Sequence, residues 1–175
     1  MKKAIVGIVL GSDSDLSTMK ESAKMLERFK VPYEMTVSSA HRSPKRTIDY
    51  AKKAERKGLK VLIVGAGGAA HLAGVIAAHT TIPVIGVPLH TEALKGRDSL
   101  YSTVQMPKGV PVATMAIGKS GATNAGIMAV EVLSLTNAKI RKELKRFRDS
   151  LAKDMEKQGR TLERLGYQKY STSKK

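Results

Sequence analysis

Short apolar runs punctuate the chain at residues 4–10, 33–37, 60–64, 83–87 and 111–117, and each reads as a strand. Helix-like stretches lie between and after them, at about 14–29, 44–57, 70–80 and 120–134. Strands alternating with helices of that length predict βαβ units, a parallel sheet and an α/β three-layer sandwich. The punctuation agrees: Ser43 stands as an N-cap before Pro44 at the first helical position, Gly58 ends the helix begun there, and Pro83 opens a strand. Residues 137–165 follow another pattern. Ile140, Leu144, Phe147, Leu151, Met155, Leu162 and Leu165 form one apolar stripe on a long, otherwise charged helix. Such a stripe must cover something, either a neighbouring subunit or the chain's own domain. The expected organisation is an α/β domain over 1–135, a C-terminal helical arm of the same domain over 136–170, and a disordered tail at 171–175. No internal repeat or low-complexity linker is present.

Composition narrows the class. The chain has 175 residues, 42% of them hydrophobic, enough for one domain with a sizeable core. It has no Cys, which excludes disulfides, zinc fingers and thiol nucleophiles and leaves the cytoplasm as the expected compartment. The start resembles a signal peptide only superficially, because its apolar run stops at Gly11 and meets Asp13 and Asp15, and no later stretch is long enough to cross a bilayer. The net charge is +16, and residues 136–175 carry half of it, with 13 Lys or Arg against 5 Asp or Glu. A nucleic-acid partner is not expected: aromatics amount to five Tyr and two Phe, and the terminal charges are mixed in sign along a helical pattern.

Three of the strand ends carry chemistry. The first run leads into Gly11-Ser12-Asp13-Ser14-Asp15, the second into Ser38-Ser39-Ala40-His41-Arg42-Ser43-Pro44, and the third into Gly65-Ala66-Gly67-Gly68-Ala69-Ala70-His71-Leu72. In an open α/β sheet such ends share one edge, so the three loops are expected to form one site. Ser12 and Ser14 suit the cap of the first helix, whose free N–H groups and positive dipole end attract a phosphate; the alternative is a capped helix without a ligand. Asp15 would repel a phosphate and is assigned to sugar hydroxyls or an exocyclic amine. Arg42, a fork of five donors just before a helix start, suits phosphate recognition better than Lys would; the alternative is a solvated charge. His41 is the expected acid/base group, with His71 in the neighbouring loop, since imidazole exchanges protons readily near neutral pH.

Other signals fail on inspection. Gly65-x-Gly67-x-x-Ala70 satisfies a relaxed dinucleotide fingerprint, but the acidic residue due some 20 positions on is missing from Pro83–Pro88. Gly118-Lys119-Ser120 mimics the end of a phosphate-binding P-loop, yet an apolar strand precedes it instead of a glycine-rich cradle. His79, in a helical stretch, and His90, after Pro88, read as surface or satisfied core residues. No His pairs with Asp or Glu at metal-ligand spacing, so no metal is expected. The strained Gly-x-Ser-x-Gly turn of hydrolases is absent as well.

Taken in order, Gly11-Ser12-x-Ser14-Asp15, Ser39-Ala40-His41-Arg42, Gly65 through Leu72, Pro83-Val84-Ile85-Gly86-Val87-Pro88, Asp98-Ser99-Leu100 with Gln105-Met106-Pro107, and Asn124-Ala125-Gly126 resemble the motifs of the class I N5-carboxyaminoimidazole ribonucleotide mutases, the catalytic subunits of phosphoribosylaminoimidazole carboxylase. The match covers roughly residues 4–135; the terminal helix matches only in kind. The resemblance implies a flavodoxin-like fold, a homo-octamer, a small ribonucleotide substrate and no metal or organic cofactor. It implies that a carboxylate moves from the exocyclic nitrogen of 5-aminoimidazole ribonucleotide to ring carbon C4 through trapped carbon dioxide. His41 matches the family's catalytic His; Ser12, Asp15 and Arg42 match substrate contacts; Ser39, Gly67 and His71 align with loops lining the pocket. Two departures stand out: Ala73 replaces a usual Pro, which would loosen the start of that helix, and Ser43 replaces a usual Thr. A related class carboxylates 5-aminoimidazole ribonucleotide directly with carbon dioxide. It usually has Lys at the position of Arg42 and lacks the Gly-Ala-Gly-Gly-Ala-Ala run, so both features favour the mutase. The rival of another kind is a non-catalytic nucleotide-binding module, which needs a phosphate site but not His41.

Overall fold

The computed structural model describes residues 3–172, which divide into two compact units, one up to Leu133 and one from Ser134 onward. In the first unit five strands form one parallel sheet: β1 (Val6–Leu10), β2 (Tyr33–Val37), β3 (Val61–Ala66), β4 (Val84–Pro88) and β5 (Ala113–Thr114), in the order β2-β1-β3-β4-β5. The three inner strands are buried at every position, which is why they read as unbroken apolar runs, whereas edge strand β2 is only half-buried. Helices clothe both faces: α1 (Leu16–Arg28), α2 (Pro44–Lys57), α3 (Leu72–Ala77), α4 (Arg97–Val104) and α5 (Lys119–Ser134). This is the expected flavodoxin-like sandwich.

Alternation along the strands decides which helix covers which face. Val9, Leu62, Val64 and Val84 share a core with Ala51 and Ala54 of α2 and Leu72, Ala73 and Ile76 of α3. On the same face, α4 approaches Gly86 so closely that a Cβ there would overlap Thr103 and Val112. On the opposite face, a Cβ on Gly65 would collide with Met19 of α1. There α5 lies against α1, joined by a 2.6 Å hydrogen bond from Ser22 Oγ to the Ala122 carbonyl.

Most boundaries follow the sequence pattern. Pro44 opens α2, and Gly58 closes it in the left-handed region at φ 90°. The Ser43 hydroxyl does not cap the helix; it donates to Ser39 O and accepts from Ser39 N–H, both at 3.1 Å. Ala73, buried in the first turn of α3, occupies a place where an N–H needs no helical acceptor, so Ala and Pro both fit and the helix still begins at Leu72. Two elements depart from expectation. The run 111–117 yields only a two-residue edge strand, and α4 has no counterpart in the apolar pattern. Its inward positions are Ser99 and Thr103, so the 3.6-residue apolar signal that reveals other helices is missing.

The second unit is dominated by α6 (Ala138–Thr172). Asn137 caps it, its Oδ1 accepting the N–H groups of Lys139 and Ile140, both at 3.1 Å. The helix breaks at Gly166, where φ is 70° and ψ 162°. Leu151, Met155 and Leu162 of the apolar stripe are exposed. Thr172 ends α6, and the remainder of the tail expected at 171–175 lies outside the described residues.

Candidate active site

The chain runs from β1 to β2 on one side and then crosses to β3 on the other, so the loops after β1 and β3 part at a topological switch point. The register keeps the strand ends level there, with Leu10 opposite both Val37 and Gly65, and Ala66 opposite Pro88. Backbone hydrogen bonds carry the alignment one residue further: Ser38 N–H to Leu10 O at 2.8 Å, Gly11 N–H to Gly65 O at 3.0 Å, and Leu89 N–H to Ala66 O at 3.0 Å. A cavity of about 470 Å³ opens above these ends, well inside the range of small-molecule sites.

Ser12, Asp15, Ser39, His41, Arg42 and Gly67 all line it. His71 does not; it reaches the cavity only through His41, whose Nε2 lies 2.9 Å from His71 Nδ1 with the two rings edge-to-face. One imidazole must donate in that contact and the other accept. The pair therefore holds one proton between its rings, and two adjacent imidazolium ions would face each other N–H to N–H. His90 and Thr91, from the loop after β4, join the lining, as does Ser14. His90 thus lines the cavity instead of being a surface or core residue, because the sheet order places the β4 end beside the β3 end. By contrast, His79 Nδ1 is taken up by Val75 O at 2.8 Å, the satisfied structural role expected of it.

The loop after β1 is a single 3-10 turn, Asp13–Asp15, leading into α1. Its amides are not vacant. The Ser12 N–H donates to Asp15 Oδ2, and the Ser14 N–H to Asp13 Oδ1, each at 2.9 Å. The Ser12 hydroxyl also bonds Asp13, at 3.0 Å. The Ser39 hydroxyl is engaged too, accepting the Arg42 N–H at 3.1 Å, so it shapes the loop that presents Arg42. The Arg42 guanidinium donates from Nη2 to Gly11 O at 3.2 Å, tying the β2 loop to the end of β1. Among the described residues no three His, Asp or Glu side chains gather as a metal ion would require.

Asp15 is half-buried, and burial pushes its carboxyl above the ordinary 3.8, against the opposing pull of the Ser12 N–H. A carboxyl with a raised folded-state pKa favours the native state at low pH. That contribution is lost as pH rises from the ordinary value through the raised one. At neutral pH, Asp15→Asn should therefore be more stable than the parent, with the amide oxygen still accepting from Ser12, and the gap should narrow toward pH 4. Urea unfolding of both chains at pH 7 and pH 4 measures this, and identical stabilities at pH 7 would remove the cost assigned to Asp15.

A cavity at the switch point of a flavodoxin-like sheet, lined by an imidazole, a guanidinium and a half-buried carboxyl, belongs to an enzyme with a small-molecule substrate. Residues 5–154 match the AIR carboxylase family, and the chain belongs to that family. It is 51% identical over 169 residues to the N5-carboxyaminoimidazole ribonucleotide mutase of Pyrococcus horikoshii, covering 97% of this chain and 94% of the relative. It is 49% identical to the mutase of Thermotoga maritima, covering 97% and 98%. The crystal structure of Treponema denticola PurE matches with a TM-score of 0.82 at 25% identity, covering 90% of this chain and 97% of that one. No helix of the described residues is long and apolar enough to cross a membrane.

Proposed function

We propose that this chain is a purine-biosynthesis enzyme converting N5-carboxyaminoimidazole ribonucleotide to 4-carboxy-5-aminoimidazole ribonucleotide. The observation that carries the reading is the convergence of His41, Arg42 and Asp15 on one cavity in a chain of this family. The N–C bond of the carbamate breaks and releases carbon dioxide while the exocyclic nitrogen takes up a proton. Ring carbon C4 then attacks the trapped carbon dioxide, and C4 gives up its proton once the new C–C bond has formed. One proton enters and one leaves, so a single imidazole ends the cycle in its starting state. His41 is the group assigned to carry it. Arg42 takes the phosphate and Asp15 a sugar hydroxyl or the exocyclic amine, with Ser12, Ser39, Gly67 and His71 completing the surroundings. No metal or organic cofactor enters this scheme.

The purified chain, given N5-carboxyaminoimidazole ribonucleotide without added bicarbonate, should form the C4 carboxylate. Given 5-aminoimidazole ribonucleotide, it should do so only with bicarbonate and less efficiently. Preference for the second pair would make it a direct carboxylase, and turnover of neither a binding module. The reading includes a cytoplasmic homo-octamer of an α/β catalytic domain with its helical arm. The exposed Leu151, Met155 and Leu162 support it, as apolar area that a neighbouring subunit would cover. Light scattering should give about eight times 18.9 kDa, and a fully active monomer would overturn the octamer alone.

A further inference from the structure

Helix α4 has little apolar surface to offer the sheet, yet it is held firmly in place. Ser99 and Thr103 are its fully buried residues, and a buried hydroxyl demands a partner. Thr103 finds one inside its own helix, donating from Oγ1 to Ser99 O at 2.7 Å. Ser99 does not stay within the helix: its Oγ accepts the N–H of Gly68 at 3.0 Å. Gly68 sits at φ 64°, a left-handed turn within the loop that carries Gly67 and His71. A Cβ there would meet nothing within 4 Å, so the turn is not imposed by crowding at that residue. From Gly68 the chain tightens through two short bonds, Ala70 N–H to Gly68 O and His71 N–H to Ala69 O, both 2.8 Å. One end of this segment lines the cavity and the other presents His71 to His41.

The same helix reaches the loop after β4. Asp98 accepts the Thr91 hydroxyl at 2.8 and 3.0 Å, and Thr91 Oγ1 accepts the Gly96 N–H at 3.2 Å. Two of the four loops around the cavity are thus fastened to α4, and Ser99 is the buried attachment of the one bearing His71.

We propose that Ser99 is a positioning residue for proton transfer: through Gly68 it sets the loop that holds His71 against His41, without touching substrate. This rests on the assignment of His41 as the proton carrier. Ser99→Ala removes the acceptor, and Ser99→Cys keeps the side-chain shape at a slightly larger size while leaving only a weak one. Thr103→Val is the structural control, since it deletes a buried hydroxyl of the same helix that serves only the helix. Urea unfolding should place all three within a similar range of stability. Turnover should separate them: kcat falls about 10- to 100-fold in the Ser99 variants, with KM changed far less, and stays near the parent in Thr103→Val. Ring-nitrogen NMR of the two imidazoles, recorded on the free protein, should show their shared hydrogen bond in the parent and in Thr103→Val and its loss in Ser99→Ala. A parent-like kcat in Ser99→Cys, or an unchanged imidazole pair in Ser99→Ala, would overturn the proposal. Because the NMR readout needs no substrate, a failure of the proposed reaction remains distinguishable from a failure of this role.

Discussion

His41→Asn is expected to fold, bind the ribonucleotide and turn it over about 10²- to 10⁴-fold more slowly, the range lost when a positioned acid/base is removed. The size of the effect follows from the proton count. Breaking the carbamate needs a proton at nitrogen and completing the product removes one from carbon, and asparagine can do neither. Folding should be spared, because His41 is exposed and its side chain makes one hydrogen bond, to His71. Asparagine still offers a donor and an acceptor toward that ring. The informative measurement is single-turnover conversion at saturating ribonucleotide beside a direct binding titration. Lost conversion with retained binding assigns the proton to His41; near-normal conversion would move that role elsewhere in the cavity.

The candidate site could be read so far in advance because its residues cluster at strand ends. Leu10, Val37 and Val64 each end an apolar or β-like run, and the lining residues Ser12, Ser39 and Gly67 follow within two or three positions. What sequence could not supply is adjacency. Nothing in Pro88-Leu89-His90 says that β4 lies beside β3, so His90 read as a surface residue until the sheet order brought it to the cavity. Helix α4 escaped for a different reason. Its inward side chains are Ser99 and Thr103, chosen for hydrogen bonding and close approach to Gly86, and these contradict the apolar period by which helices are recognised. Ser39 and Ser12 show the limit in the opposite direction. Both were legible as site residues, but their engagement with Arg42 and Asp15 depends on loop geometry that composition does not encode.

Arg42→Ala should weaken ribonucleotide binding by about 1.5 to 3 kcal/mol, the value of a hydrogen bond to a charged group. At 1.4 kcal/mol per factor of ten, that is a loss of roughly 10- to 150-fold. The local charges make the requirement plain. The loop after β1 brings Asp13 and Asp15 to the cavity region, and both carboxylates already occupy amides a phosphate would otherwise use. Asp13 is held below the ordinary carboxylate range, chiefly by the Ser12 hydroxyl and then by the Ser14 amide. A dianionic phosphate beside these groups needs a cation with donors to spare, and Arg42 spends only Nη2, on Gly11 O. Comparing the ribonucleotide with its unphosphorylated riboside isolates that role. The parent should discriminate strongly between them and Arg42→Ala weakly, while the riboside itself binds both chains alike. Arg42→Lys, which keeps the charge but not the planar fork, should recover part of the difference. If Arg42→Ala still prefers the phosphorylated ligand as strongly as the parent does, the guanidinium serves only as a strut between the β1 and β2 loops, and the phosphate is held by other groups.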